Sequence, residues 1–293
     1  MNIESGYLAR VTTDVMFGTP REITHAEIIE TIQQFIDGAK QAYRAGFKGV
    51  ELHGAHGYLI AQFLSPETNL RTDDFGGTPA KRAEIVLRII EGIRAATGPQ
   101  FCVGIKMNSV DVSEQGDGGL DAGLEQMGSV IEAGIDFIEI SGGSFENFSF
   151  LEVDPPADAA TPTVVLPTRK KSTIEREAFF LDFAKRVRER YPKVPLMVTG
   201  GFRSRAAMEA ALESGACDII GIGRPAAVIP KLPRSVLLNK ELSDEQAKIK
   251  LKPVKMGCLM NIVPIRALGA GAQSNYYGGL IRRMGLQPAD TRI

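Results

Sequence analysis

The sequence predicts an α/β fold of the TIM (β/α)8-barrel type, N-terminally shortened to about five βα units and followed by a C-terminal helical tail. Three observations predict it. Five short apolar runs end in glycine or polar residues, segments of helical periodicity separate them, and the residues suited to chemistry gather where the runs end. Runs of Val, Ile, Leu and Phe without strict alternation suit strands covered on both faces. Strands and helices in alternation give right-handed βαβ units around a parallel sheet.

Each element has its own signal. Thr24 opens a helix with Ile28, Ile29, Ile32, Phe35, Ala39 and Ala42 on one stripe, closing near Gly46. The first strand is expected at 48–53. A helix over 79–97 carries Ile85, Ile89, Ile90 and Ile93, and a strand follows at 101–107. Asp121 is placed as the N-cap of a helix over 121–133, leading to a strand at 136–141. Loop 142–173 holds Pro155, Pro156, Pro162 and Pro167, and a loop of that length is usually functional or disordered. A helix over 174–191 carries Phe179, Phe180, Phe183 and Val187, followed by a strand at 195–199. Ser204 opens a helix over 204–214, Gly215 ends it, and the last strand is at 218–222. The tail reads as a charged linker and then a helix with Tyr276, Tyr277, Ile281 and Arg282. The chain divides into a lead-in (1–21), a partial barrel (22–235) and a C-terminal extension (236–293).

Composition narrows the function. The 293 residues carry 34 Lys plus Arg against 35 Asp plus Glu, a net charge of −1. No basic field for nucleic acid or an anionic membrane arises. The three cysteines, Cys102, Cys217 and Cys258, form no C-x-x-C pair, and a reducing, cytoplasmic setting is expected. The first residues lack the apolar core of a signal peptide, and no run approaches the ~20 apolar residues of a membrane span.

Candidate chemistry falls at strand ends, where a barrel places its active site. His53, His56 and Tyr58 follow the first strand within six residues. Neutral imidazoles can hydrogen-bond a carbonyl oxygen, and a phenol can donate a proton. A zinc site is the rival reading, but no third ligand is evident and no metal is expected. Lys106 closes an otherwise apolar strand, where a bare cation is costly. Three readings stay open: a cation facing an electron-rich ligand, a salt bridge to Glu139, and a Schiff-base lysine. Gly200-Gly201 and Gly221-Ile222-Gly223-Arg224-Pro225 end the last two strands. Backbone N–H groups, a helix N-terminus and an arginine there suit a phosphate group. The segment from Phe63 to Gly77 reads as support for the histidine strand, braced by an Arg71–Asp73 ion pair.

Together these residues resemble the Old Yellow Enzyme family, the NADH:flavin oxidoreductases. The resemblance rests on Gly49 through Leu59, Gln62 through Pro66, Asn69, Arg71-Thr72-Asp73, Gly76-Gly77 and Arg82. It continues through Gly104-Ile105-Lys106, Glu139 to Gly143, Thr199 to Phe202 and Gly221 to Pro225. Lys106 and the tyrosine-bearing C-terminal helix resemble fungal members. The resemblance implies FMN at the barrel mouth, NADH or NADPH as hydride donor, and an activated alkene (an α,β-unsaturated carbonyl compound) as substrate. It implies that His53 and His56 bind the substrate carbonyl and that Tyr58 protonates the α-carbon. Lys106 would face the flavin's electron-rich edge, and Gly200, Gly201, Gly223 and Arg224 would cradle its phosphate. The family's first three strands have no match from residue 1 onward. An open barrel has edges at 48–53 and 218–222, which predicts low stability of the chain alone or pairing with a second copy or complementing chain. The alternative function is a remnant, inactive or regulatory, that binds no FMN by itself.

Overall fold

The computed structural model describes residues 21–109, 116–141, 173–251 and 266–286. Loop 142–172 and Cys258 lie outside the described residues. Thr24 caps helix α1 (His25–Arg44) with a capping box: its hydroxyl accepts from the Glu27 N–H, and the Glu27 carboxylate accepts from the Thr24 N–H at 2.7 Å. Strand β1 (Gly49–Gly54) follows, then a short helix α2 (Leu59–Leu64) that periodicity alone does not reveal. Helix α3 (Pro79–Thr97) starts on Thr78 with proline in its first turn, as proline favours. Next come β2 (Cys102–Asn108), α4 (Gly116–Glu132) and β3 (Phe137–Ser141). The remaining elements are α5 (Thr173–Arg190), β4 (Leu196–Thr199), α6 (Arg205–Glu213) and β5 (Ile219–Gly221). A short helix α7 (Arg224–Val228), a π-helical turn (Pro233–Leu237) and helix α8 (Arg266–Leu286) follow among the described residues.

One expected boundary moves. Asp121 is not an N-cap but lies inside α4, which starts five residues earlier at Gly116. Glycines there argue against a helix by propensity. Packing wins, because Leu120, Leu124 and Met127 lie on the core beside α3.

The five strands pair in sequence order, all parallel. One sheet face is wholly apolar. Val103, Ile105, Ile138, Ile140, Leu196 and Val198 are buried there under Ile85, Ile89, Phe183 and Val187 of the helices. The other face, which a barrel turns inward, is polar: Glu51, His53, Lys106, Asn108, Glu139, Ser141 and Thr199 alternate with the apolar set. Among the described residues, β1 and β5 are the sheet's edges.

The same brace recurs in two βα units. Asp136, just before β3, accepts from the Val103 N–H at 2.6 Å and from Arg94 of α3 at 2.5 Å. Asp218, just before β5, accepts from the Leu196 N–H at 2.8 Å and from Arg188 of α5. In both, a last-turn arginine ties its helix to the next strand pair. Arg205 performs a similar task further on, donating to the carbonyls of Val236, Leu237, Asn239 and Leu242.

The segment after β1 is braced as anticipated. Arg71 pairs with Asp73 and also with Glu22 at 2.7 Å. Buried Asn69 donates to the carbonyls of Phe63 and Phe75, both at 2.7 Å. Arg82, also buried, donates to the Leu64 and Gly77 carbonyls.

Candidate active site

The strand ends bring the first group of candidates together. His53 is the penultimate residue of β1, and its ring centroid lies 5.0 Å from that of His56 and 5.1 Å from that of Tyr58. The tight turn has a visible backbone cause. His56 holds φ 62° and Gly57 holds φ 72°, so two successive residues sit in the left-handed region. Such a conformation costs energy in a non-glycine residue and persists only where neighbours fix it. Here Asn108 accepts from the His56 N–H at 3.1 Å, and His56 Nε2 meets the Ser141 hydroxyl at 3.1 Å. Asn108 and Ser141 are register partners at the ends of β2 and β3, and both are buried. Sequence reasoning missed them as site residues. Their place at the polar ends of apolar strands was the only signal.

Electrostatics keeps both imidazoles neutral. Burial, then the charges of His53 and Lys106, push His56 down to about 4, and Glu139 only partly opposes them. Desolvation and Lys106 lower His53 in the same way. A neutral ring has one N–H donor and one acceptor, which suits polarising a carbonyl without carrying charge. Tyr58 stays half exposed, its ring open to an incoming molecule.

Lys106 is the register partner of His53 and of Glu139. Its ammonium meets the Glu139 carboxylate at 2.5 Å, with both side chains largely buried. The salt-bridge reading therefore holds, and that bridge lies directly beside the histidines. Its nitrogen is engaged by a carboxylate, which leaves the Schiff-base reading without support. Among the described residues, no three His, Cys, Asp or Glu side chains are grouped to hold a metal ion.

The second group sits across the sheet. Gly200 and Gly201 follow β4, with Gly201 at φ 75°, and Gly223 caps α7, whose first residue is Arg224. A side chain at Gly200 would strike the Phe180 ring, so glycine is required for close packing there. A side chain at Gly223 would meet no atom within 4 Å, so its backbone faces open space. Open backbone, a helix start and an arginine are groups whose chemistry suits a phosphate.

The parallel βα sheet carries a histidine pair, a phenol and a cation at its strand ends, the arrangement of a TIM-barrel-type α/β protein with its polar groups gathered at one mouth. A profile of the NADH:flavin oxidoreductase / NADH oxidase family matches residues 4–244, and the chain belongs to that family of FMN-dependent oxidoreductases. It is 42% identical over 289 residues to a NADH-dependent flavin oxidoreductase, iccE, of Talaromyces variabilis, covering 97% of this chain and 66% of that protein. It is 41% identical over 268 residues to the NADH-dependent flavin oxidoreductase iliE of Hypocrea jecorina, covering 92% of this chain and 64% of the relative. Among solved structures, morphinone reductase in complex with tetrahydroNAD aligns at a TM-score of 0.54 and 25% identity, over 74% of this chain and 50% of that one. A 2-naphthoyl-CoA reductase aligns at 0.61 and 30% identity, over 73% and 30%. The chain thus spans less than two thirds of the length of these relatives. No helix among the described residues is long and apolar enough to cross a membrane, and Cys102 and Cys217 are free thiols.

Proposed function

We propose that the chain carries the substrate- and phosphate-binding part of an FMN-dependent NAD(P)H oxidoreductase that reduces the C=C bond of α,β-unsaturated carbonyl compounds. The observation that carries this reading is the cluster of His53, His56 and Tyr58 rings beside Lys106 at the ends of β1 and β2. The chemistry supplied by bound FMN is hydride transfer, from NADH or NADPH to the alkene β-carbon. The neutral histidines donate to the substrate carbonyl oxygen and draw electron density toward it. The Tyr58 hydroxyl gives its proton to the α-carbon, so hydride and proton together saturate the bond. Lys106 supplies positive charge where negative charge builds up, and Gly200, Gly201, Gly223 and Arg224 hold the phosphate. Residues 22–235 form the catalytic unit, 1–21 lead into it, 236–293 extend it, and the protein works in the cytoplasm.

FMN titration of the purified chain, followed by flavin absorbance and fluorescence, tests this. Stoichiometric binding with bleaching by NADH or NADPH supports it. A folded chain that binds no FMN favours the alternative, a protein of this family that is inactive on its own.

A further inference from the structure

Below the histidine pair, two carboxyls and one ammonium meet on the polar face of the sheet. Glu51 lies two residues before His53 on β1, Lys106 opposes His53 on β2, and Glu139 opposes Lys106 on β3. The Glu51 carboxyl reaches across β2 to hydrogen-bond with Glu139, while Glu139 holds the Lys106 ammonium. A hydrogen bond between two carboxyls requires a proton on one of them. With both ionised, the three groups would carry a net charge of −1 directly beneath the site. With one proton retained, they are neutral and Lys106 has a single anionic partner.

We propose that Glu51 and Glu139 act as one acid that holds a single proton, and that Glu51 is thereby a positioning residue that keeps net negative charge away from a bound anion in the site. The groups facing the pair agree. They are His53 from β1, His56 from the turn after it, Lys106 from β2 and the Thr199 hydroxyl from β4; β5 offers only Ile219 and Gly221 at those levels. Desolvation, the hydrogen bond with Glu139 and the charge on Glu139 push the Glu51 carboxyl up to about 8, against the pull of Lys106. Burial works against ionisation of Glu139, but the hydrogen bonds with Glu51 and Lys106 and the Lys106 charge outweigh it and hold that carboxyl below its usual range. At neutral pH the pair therefore keeps one proton, with Glu51 the carboxyl favoured to carry it, and its loss in alkali places a second negative charge under the site.

The part of this inference that concerns flavin rests on the proposed function; the shared proton does not. Carbon-13 NMR of the glutamate carboxyls in the FMN-free chain, from pH 5 to 10, tests the shared proton. One carboxyl titrates near pH 8, far above the others. It disappears in Glu51→Gln, which keeps a donor for Glu139. In Glu139→Gln the Glu51 carboxyl pairs with Lys106 and returns to the ordinary range. If every carboxyl titrates below pH 6, or the high one survives Glu51→Gln, the inference is overturned. Should Glu51→Gln not fold, the wild-type and Glu139→Gln titrations decide it.

FMN titrations at pH 7 and 9 test the positioning role. Wild-type binding weakens at pH 9 by about 3–10-fold, the effect of one added charge nearby in a wet site. Glu51→Gln binds equally at both. Equal wild-type binding at both pH values, with Glu51 titrating, overturns the positioning role. Absence of FMN binding at either pH refutes the flavin reading and leaves the NMR result to stand alone.

Discussion

Acid should destabilise this chain through His56, and replacing that residue should remove the effect. In the unfolded chain an imidazole takes up a proton near pH 6.5; in the fold His56 resists it down to about 4. The unfolded state therefore binds more protons throughout that window. The contribution of His56 to stability is fully present above pH 6.5, erodes as the pH falls, and is gone once the folded ring also protonates near 4. Each tenfold in proton affinity is about 1.4 kcal/mol, so the ceiling is roughly 3 kcal/mol. The ring is partly open to solvent, and screening brings the expectation to about 1–2 kcal/mol. Urea unfolding at pH 7.0 and 4.5, compared between wild type and His56→Asn, isolates the term. Asparagine tolerates the left-handed backbone and does not titrate. Stability lost between the two pH values should be about 1–2 kcal/mol smaller in the variant. A proton NMR titration of the ring should show a midpoint well below 6. Equal acid losses in both proteins, or a midpoint at or above 6.5, would refute the reasoning, and with it the assignment of a neutral carbonyl-binding ring.

Four further outcomes are expected. Asp136→Ala and Asp218→Ala should each cost about 1–2 kcal/mol in urea unfolding, since each removes an acceptor shared by a strand N–H and an arginine. The two braces share no partner, so the double variant should cost the sum within a few tenths of a kcal/mol. Lys106→Met strips the largely buried Glu139 carboxylate of its cation, and should cost about 3 kcal/mol at pH 7. That cost should shrink at pH 5, where the carboxyl can protonate, and a cost that stays constant would contradict the ion pair's role. In the FMN-loaded protein, Tyr58→Phe should slow enone reduction by 10²-fold or more while leaving NAD(P)H oxidation in the first half-reaction unchanged; equal slowing of both would remove Tyr58 as proton donor. Among the described residues β1 and β5 are the sheet's edges, and with Ile219 45% exposed this predicts self-association. Sedimentation equilibrium should show a mass that rises with concentration, and a cooperative, concentration-independent melt of a monomer would exclude it.

Local signals were readable in the chain. Thr24, Thr78 and Ser204 cap their helices through their own hydroxyls; Thr24 and Ser204 were placed from sequence, because capping is decided within four residues. The five strands fall within a residue of the positions expected from their apolar runs. His53, His56 and Tyr58 could be grouped because six residues of chain cannot separate them far. A Lys106–Glu139 salt bridge is one of the three readings the sequence leaves open, because a cation at a strand end needs an anion, and the sheet register selects it. The start of α4 was misplaced because glycine propensity is a local quantity and the packing that overrules it is not.

Sequence alone determined where the five strands and the longer helices lie, and that the candidate chemical groups fall at strand ends, since periodicity and turn chemistry act over a few residues. Only the tertiary structure decided the state of that chemistry. Asn108 and Ser141, 52 and 85 residues from His56, hold its ring and backbone. Glu51 reads in the chain as one polar residue of a strand, and its meaning comes from Glu139 two strands away. Parallel pairing in register creates these neighbours. Proton affinity depends on the distance to other charges and the loss of water around them, and both are properties of the assembled sheet.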